Sequence, residues 1–298
     1  MLWGIDLGGT KIECAVIESA ENLSVIHRQR ISTEGHLGYD HIVGNIVKLI
    51  RLVEDAVGER ATHIGIGTPG AIEPSTQLMK NCNSTALNGQ PLGQDLEKIL
   101  QIPVKLANDA NCFALAEAQF GAAHKENPNA EVVFGVIIGS GVGSGIVVNG
   151  KVINGRHGIG GEWGHNFLDE SGGLCYCGRV GCVETVLSGP ALERFYTSLT
   201  GEKLKLKEIA IRHEEGLDEA ATTTMNRLKT LFGKAIAPII NIIDPEIIVI
   251  GGGVGNIDLI YTETEAEIKK YLFNPTLATK ILKPSLGDSA GVFGAALL

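Results

Sequence analysis

Three cysteines fall within eight residues, and a histidine precedes them: His165, Cys175, Cys177 and Cys182, spaced H-x9-C-x-C-x4-C. Three thiolates and an imidazole make a closed tetrahedral zinc site. All four positions are then filled by protein, so the role of Zn²⁺ is structural. Gly178 and Gly181 let so short a loop wrap around an ion. The alternative is a set of free cysteines or a redox pair, but no C-x-x-C is present. Glu162 lies three residues before His165, and Glu184 two after Cys182. Their plain reading is a solvated face. A metal loop would instead hold Glu162, His165 and Glu184 near one point, where carboxylates and an imidazole suit a polyhydroxylated ligand. Asn108-Asp109-Ala110-Asn111 sits between a strand and a helix. The plain reading of Asp109 is a helix N-cap.

Glycine supplies the second kind of chemistry. The 39 glycines are clustered rather than periodic, which marks places where backbone turns sharply or approaches a ligand. Asp6-Leu7-Gly8-Gly9-Thr10-Lys11 puts a carboxylate beside open amides, a hydroxyl and an ammonium. Amides and Lys11 suit phosphate oxygens, and Asp6 suits Mg²⁺ directly or through water. An ordinary hairpin turn accounts for the same residues. Gly139-Ser140-Gly141-Val142-Gly143-Ser144-Gly145 would weaken a strand for no packing gain, so close approach to a ligand is expected there. Gly251-Gly252-Gly253 follows an apolar run at a strand's carboxyl end, a usual ligand position in α/β sheets, or else a loop before a helix. Gly65-Ile66-Gly67-Thr68-Pro69-Gly70 fits a dinucleotide fingerprint, but Pro69 and Pro74 deny it the helix that should follow.

These residues need elements to place them. Strands are expected at Leu2–Leu7, Lys11–Val16, Val25–Ser32, His63–Gly67 and Val104–Leu106, the first two joined by the Gly8-Gly9 turn. Apolar residues at helical spacing predict helices over Tyr39–Val57, Gln94–Leu100 and Ala110–Phe120. The second half restarts with an apolar run at Val132–Gly139, a glycine turn and a strand at Gly145–Asn149. A long helix over Met225–Ile243, a buried strand at Glu246–Ile250 and a terminal helix over Val292–Leu298 complete it. Two similar α/β halves predict a cleft between them with glycine turns facing it.

Composition limits the remaining possibilities. The chain has 298 residues, 25 basic and 34 acidic, with a formal net charge of −9 and 44% hydrophobic residues. That balance excludes disorder as the main state and argues against nucleic acid as a partner. No apolar run has membrane-spanning length. The start shows no basic region followed by an apolar one, so no secretory signal is expected, and the six cysteines are not expected to form disulfides.

Together these residues resemble the ROK family of sugar kinases, within the actin/hexokinase/Hsp70 ATPase fold, over essentially the whole chain. The resemblance rests on Gly4–Lys11, Asn108–Asn111, Gly139–Gly143, Gly161-Glu162-Trp163-Gly164-His165 and Cys175-x-Cys177-Gly178-x-x-Gly181-Cys182-x-Glu184. It implies an α/β protein of two actin-like ATPase (ribonuclease H-like) domains. The small N-terminal one would span 1–108, with a C-terminal helix at about 288–298 packing back on it, and the larger one 109–287 with the zinc loop. It implies ATP and Mg²⁺ as cofactors beside structural Zn²⁺, and Asp109 as catalytic base. Asn108, Asp109, Glu162, His165 and Glu184 would bind the sugar, His165 while also ligating zinc. Asp6, Gly8, Gly9, Thr10, Lys11, Gly139, Ser140, Gly141 and Gly143 would hold ATP phosphates, with Gly251 and Gly252 near the nucleoside. The family usually has Thr and Gly where Ser140 and Ser144 stand. The partners implied are a free hexose and ATP, with neither nucleic acid nor membrane, in a cytoplasmic homodimer. The stretch Asn81–Pro91 looks most like bacterial fructokinases and mannokinases, so fructose is the expected acceptor, phosphorylated at its 6-hydroxyl. A glucokinase, mannokinase or N-acetylhexosamine kinase is the alternative. A sugar-responsive repressor is remote: its helix-turn-helix would precede the first glycine motif, which here begins at Gly4.

Overall fold

The computed structural model describes residues 1–298. The chain divides into two compact units, one of residues 1–129, 145–161 and 285–298, the other of 130–144 and 162–284.

The first unit opens with β1 (Leu2–Leu7), β2 (Lys11–Ile17) and β3 (Val25–Ser32), then α1 (Tyr39–Val57) and β4 (Ile64–Thr68). The short pair β5 (Ala71–Ile72) and β6 (Met79–Lys80), α2 (Leu92–Leu100), β7 (Val104–Asn108), α3 (Asp109–Gln119) and α4 (Ala122–Glu126) follow. The sheet order is β3-β2-β1-β4-β7, with β1 antiparallel to β2, β2 to β3, and β4 parallel to both β1 and β7. Register places Asp6 opposite Glu13, and Glu13 opposite Arg30. α1 buries Ile42, Val43, Ile46, Leu49, Ile50 and Val53, the stripe its spacing predicts, and stops at Gly58 in the left-handed conformation.

The last helix, α11 (Ala290–Ala296), belongs to this unit. Glycines set how closely it lies. A Cβ on Gly4 would sit 2.1 Å from Val292 O, one on Gly65 1.8 Å from Ala295 O, and one on Gly294 1.8 Å from Cys112 O. Backbone therefore meets backbone where α11 packs on β1, β4 and α3.

The second unit begins at β8 (Val132–Ile138) and the first residues of β9 (Val142–Val148), which leads to β10 (Lys151–Val152). Next come α5 (Val183–Leu187), α6 (Gly189–Thr200), α7 (Leu206–Glu215), α8 (Glu219–Ile243), β11 (Ile247–Gly251), α9 (Leu259–Thr262), α10 (Glu265–Lys269) and β12 (Lys280–Leu282). The second sheet has the order β10-β9-β8-β11-β12. β11 is wholly buried between parallel β8 and β12, which explains its unbroken apolar run. Counted from its own first strand, each sheet has the order 3-2-1-4-5, so the second half repeats the topology of the first.

Several boundaries differ from expectation. α8 starts six residues before Met225, because the Asp218 carboxylate caps it by accepting from Ala221 N at 2.9 Å, and the helix runs on through Pro238. The glycine run is partly strand, since β9 begins at Val142. Gly145 has a packing reason there: a Cβ would lie 2.8 Å from Asn111 Cα. α5, α6 and α7 were not expected; α5 is one turn long, and α7 buries only Leu206 and Ile209. No helix is long and apolar enough to cross a membrane.

Candidate functional site

In the first unit, Asp6 stands near the end of β1, where the chain turns into β2. The turn is closed by Gly8 N donating to Lys11 O at 3.0 Å. Thr33 braces it: its hydroxyl donates to Gly8 O at 2.7 Å, and its amide to Thr10 O at 2.9 Å. Gly9, Thr10 and Lys11 are left exposed at the tip. Asn108 ends β7 and is the N-cap of α3, its Oδ1 accepting from Ala110 N at 2.9 Å. Asp109 is therefore the first helical residue rather than the cap, and its own Oδ1 accepts from the same amide at 2.8 Å. Burial, then the negative charges of Asp109 and Glu13, push the Asp6 carboxyl from 3.8 up to about 6, with Arg30 opposing. The half-buried Asp6 carboxylate, with the exposed Asp109 carboxylate near enough to act on it, fits a divalent cation.

In the second unit, the Gly139–Val142 turn is stitched to two helices. Gly139 N donates to Gly141 O at 2.9 Å, and Gly189 N to Gly139 O at 2.9 Å. Val142 N donates to Glu184 Oε2 at 3.0 Å, and a Cβ on Gly141 would lie 2.6 Å from that oxygen. Glu184 thus braces the turn. Glu162 and His165 flank Trp163, which is buried edge-on to Phe134 and donates from Nε1 to Ala235 O at 3.1 Å. Gly164 lies so close to β9 that a Cβ would sit 2.1 Å from Val142 O.

The ligand atoms of His165, Cys175, Cys177 and Cys182 all lie within 4.8 Å of one another. His165 Nδ1 is 3.6 Å from Cys175 Sγ, and Cys177 Sγ is 3.6 Å from Cys182 Sγ. A tetrahedron with ~2.3 Å zinc–sulfur bonds sets its ligands roughly 3.5–3.8 Å apart, so these residues fit that ion. Burial pushes the Cys182 thiol up to about 12, a cost that a cation would remove. Gly178 and Gly181 have φ of 86° and 74°, the left-handed turns the loop requires. One residue escaped the sequence reading: the Tyr176 hydroxyl lies 2.8 Å from His165 Nε2, the nitrogen facing away from the thiols.

A cavity of about 800 Å³ opens beside the Gly139-Ser140 turn. Pro190, Leu206, Ile211 and Ile257 give it apolar walls, and Glu193, Lys205 and Asn256 are among its polar groups. From the third glycine run it takes Gly253, not Gly251 or Gly252. Gly252, at φ 82°, packs instead on β8, where a Cβ would lie 2.4 Å from Ile138 O. Nothing in the sequence pointed to the α6 and α7 side of this cavity.

The Asn81–Pro91 stretch has local structural causes. The Asn88 side chain closes the loop on Cys82, accepting from its amide at 2.8 Å and donating to its carbonyl at 3.2 Å.

A model of the ROK family matches residues 2–298. The chain belongs to the ROK family. An N-acetyl-D-glucosamine kinase from Pectobacterium atrosepticum is 36% identical over 308 residues, covering 100% of this chain and 98% of the relative. Among solved structures, a ROK hexokinase from Thermus thermophilus superposes with a TM-score of 0.87 at 30% identity, over 99% of this chain and 96% of that one. A ROK glucokinase from Streptomyces griseus, in complex with glucose and AMPPNP, has a TM-score of 0.77 at 26% identity, over 99% and 97%. These ROK relatives are sugar kinases, and their fold is the α/β architecture with two mixed five-stranded sheets described above.

Proposed function

We propose that this ROK protein is an ATP- and Mg²⁺-dependent sugar kinase acting on the 6-hydroxyl of N-acetylglucosamine or a related free hexose. The observation that carries the reading is the braced Gly139-Ser140 turn opening onto a cavity of about 800 Å³ in a chain that matches sugar kinases end to end. That volume suits a nucleoside, its apolar walls suit the faces of a base, and the turn's amides suit phosphate. The Streptomyces griseus glucokinase, solved with AMPPNP, supports the same use of the fold.

In this reading Asp109 accepts the proton of the sugar hydroxyl as its oxygen bonds to the γ-phosphorus. The bond from that phosphorus to the bridging oxygen of ADP breaks, and ADP leaves. Phosphoryl transfer asks for positioning and charge neutralisation more than covalent chemistry. Asp6 holds Mg²⁺, which when bound neutralises phosphate charge. The Gly8–Lys11 and Gly139–Gly143 turns take the phosphates. Asn108, Glu162, His165 and Glu184 orient the sugar, with the zinc loop as scaffold for the last three. A sugar hydroxyl replaces Tyr176 at His165 Nε2. Gly251 and Gly252 shape the nucleoside wall from behind Gly253.

The acceptor departs from the fructose expected from Asn81–Pro91. Asn88 of that stretch is occupied in closing the loop itself, and full-length relatives are N-acetylglucosamine kinases. The test is ADP release with N-acetylglucosamine, glucose, mannose and fructose, each product located by NMR. N-acetylglucosamine is expected to give the highest kcat/KM, with phosphate on O6. Fructose ahead by tenfold or more, about 1.4 kcal/mol, would restore the fructokinase reading. No sugar-stimulated ADP release would overturn the kinase reading itself.

A further inference from the structure

Three charged residues stand in a row across three strands of the first sheet. Asp6 on β1 is directly opposite Glu13 on β2, which is directly opposite Arg30 on β3. Residues directly opposite in antiparallel pairs share a face, with Cβ atoms about 4.5–5.5 Å apart. Two carboxylates side by side are unfavourable, and the row needs a reason.

The hydrogen bonds supply one. Arg30 Nε donates to Glu13 Oε2 at 2.7 Å, and Arg28 Nε lies 3.2 Å from Glu13 Oε1. Ser289, just before α11, closes the group: it accepts from Arg28 Nη1 at 2.7 Å and Arg30 Nη2 at 3.4 Å, and its hydroxyl lies 3.2 Å from Glu13 Oε1. Glu13 and Ser289 are buried, while both arginines are partly exposed. Glu13 therefore occupies both guanidinium groups one strand away from Asp6. Arg30 is the positive charge that acts on Asp6 across that gap. With Glu13 gone, a flexible arginine side chain would be released beside a half-buried carboxylate.

We propose that Glu13 is a positioning residue that holds Arg30 off Asp6, so that the Asp6 carboxylate stays available to a divalent cation. This rests on the reading of Asp6 as the Mg²⁺-facing group.

The test is calorimetric binding of ADP across a Mg²⁺ series, with melting temperature recorded in parallel. Glu13→Gln should raise the Mg²⁺ needed for half-maximal ADP binding on the order of tenfold, the scale on which a neighbouring guanidinium alters a carboxylate's affinity for a proton. Glu13→Gln with Arg30→Gln should bring the requirement back to within about twofold of wild type. A merely structural Glu13 gives the opposite pattern, because removing Arg30 as well strips the cluster further. An unchanged Mg²⁺ requirement in Glu13→Gln, or a double variant no better than the single one, would overturn the proposal. Should Glu13→Gln not fold, Glu13→Asp takes its place, with and without Arg30→Gln: a raised Mg²⁺ requirement that Arg30→Gln brings back supports the proposal, and an unchanged one overturns it. Wild-type protein that binds ADP without regard to Mg²⁺ would overturn the reading of Asp6 and this inference together.

Discussion

The N-cap of α3, which the sequence suggests at Asp109, is Asn108 in the structure. Asp109, the first helical residue, shares the Ala110 amide with it. Asp109→Asn is expected to leave the melting temperature nearly unchanged and to lower kcat by on the order of 10²–10⁴, the usual loss for a general base. Turnover near wild type in that variant would place the base elsewhere. Asp6 permits a pH experiment. Its carboxyl is pushed up to about 6, so between pH 3.8 and about 6 the folded form keeps a proton that the unfolded form has lost. By linkage, this group's contribution to stability falls as pH rises through that window and stays low above it. In the absence of metal and nucleotide, Asp6→Asn should therefore melt higher than wild type at pH 7.5, with the difference shrinking towards pH 4. A difference that does not depend on pH would refute the shift. Residue types and spacing made the metal ligands legible, whereas the role proposed for Asp109 came from the family resemblance. The brace that Glu184 provides was not legible, because its bond to Val142 N joins positions 42 apart in the chain.

Elements were most legible where one pattern decided them. α1 follows its apolar stripe from end to end, and the β1–β2 hairpin follows its Gly-Gly turn. α6 and α7, which line the large cavity, were not legible, because their buried faces come from tertiary contact rather than a strong periodic stripe. The metal loop was legible from spacing, and its backbone is tied by its own hydrogen bonds, among them Leu168 N to Gly181 O and Cys175 N to Arg179 O, both at 2.7 Å. What those bonds do not offset is three thiols and an imidazole gathered within 4.8 Å of one another, which a structural zinc ion would stabilise. Chelation should remove about one zinc per chain and lower both melting temperature and activity, and Cys182→Ser should mimic it. Active protein without zinc by metal analysis would refute the assignment. The close packing of α11 gives a second test at this scale. Gly65→Ala forces a methyl to within 1.8 Å of Ala295 O, and should destabilise by about 1–3 kcal/mol or more in denaturant unfolding.

At the scale of the whole chain, the repeated 3-2-1-4-5 strand order is what the restart of the sequence at Val132 foreshadowed. The return of the last helix to the first unit is what the family resemblance implies, whereas that of 145–161 was beyond the reach of local pattern. Segments 145–161 and 285–298 return to the first unit for reasons that lie in contacts, such as Gly145 on Asn111 and α11 on β1. Fully buried Glu117 shows how firmly the second return is held: its carboxylate accepts from Ser285 N and Leu286 N at 3.1 Å each, and from Ala122 N at 2.7 Å. This arrangement bears on how the protein is born. Chains emerge from the ribosome amino end first, and domains generally fold as they appear. The residues of the second unit, 130–144 and 162–284, have all been synthesised before α11 exists. The first unit, begun earlier, must wait for the final residues with β1, β4 and α3 uncovered. The half that starts first is finished last, and a nascent chain stalled near residue 284 would leave the backbone at Gly4 and Gly65 uncovered for whatever chaperone meets it.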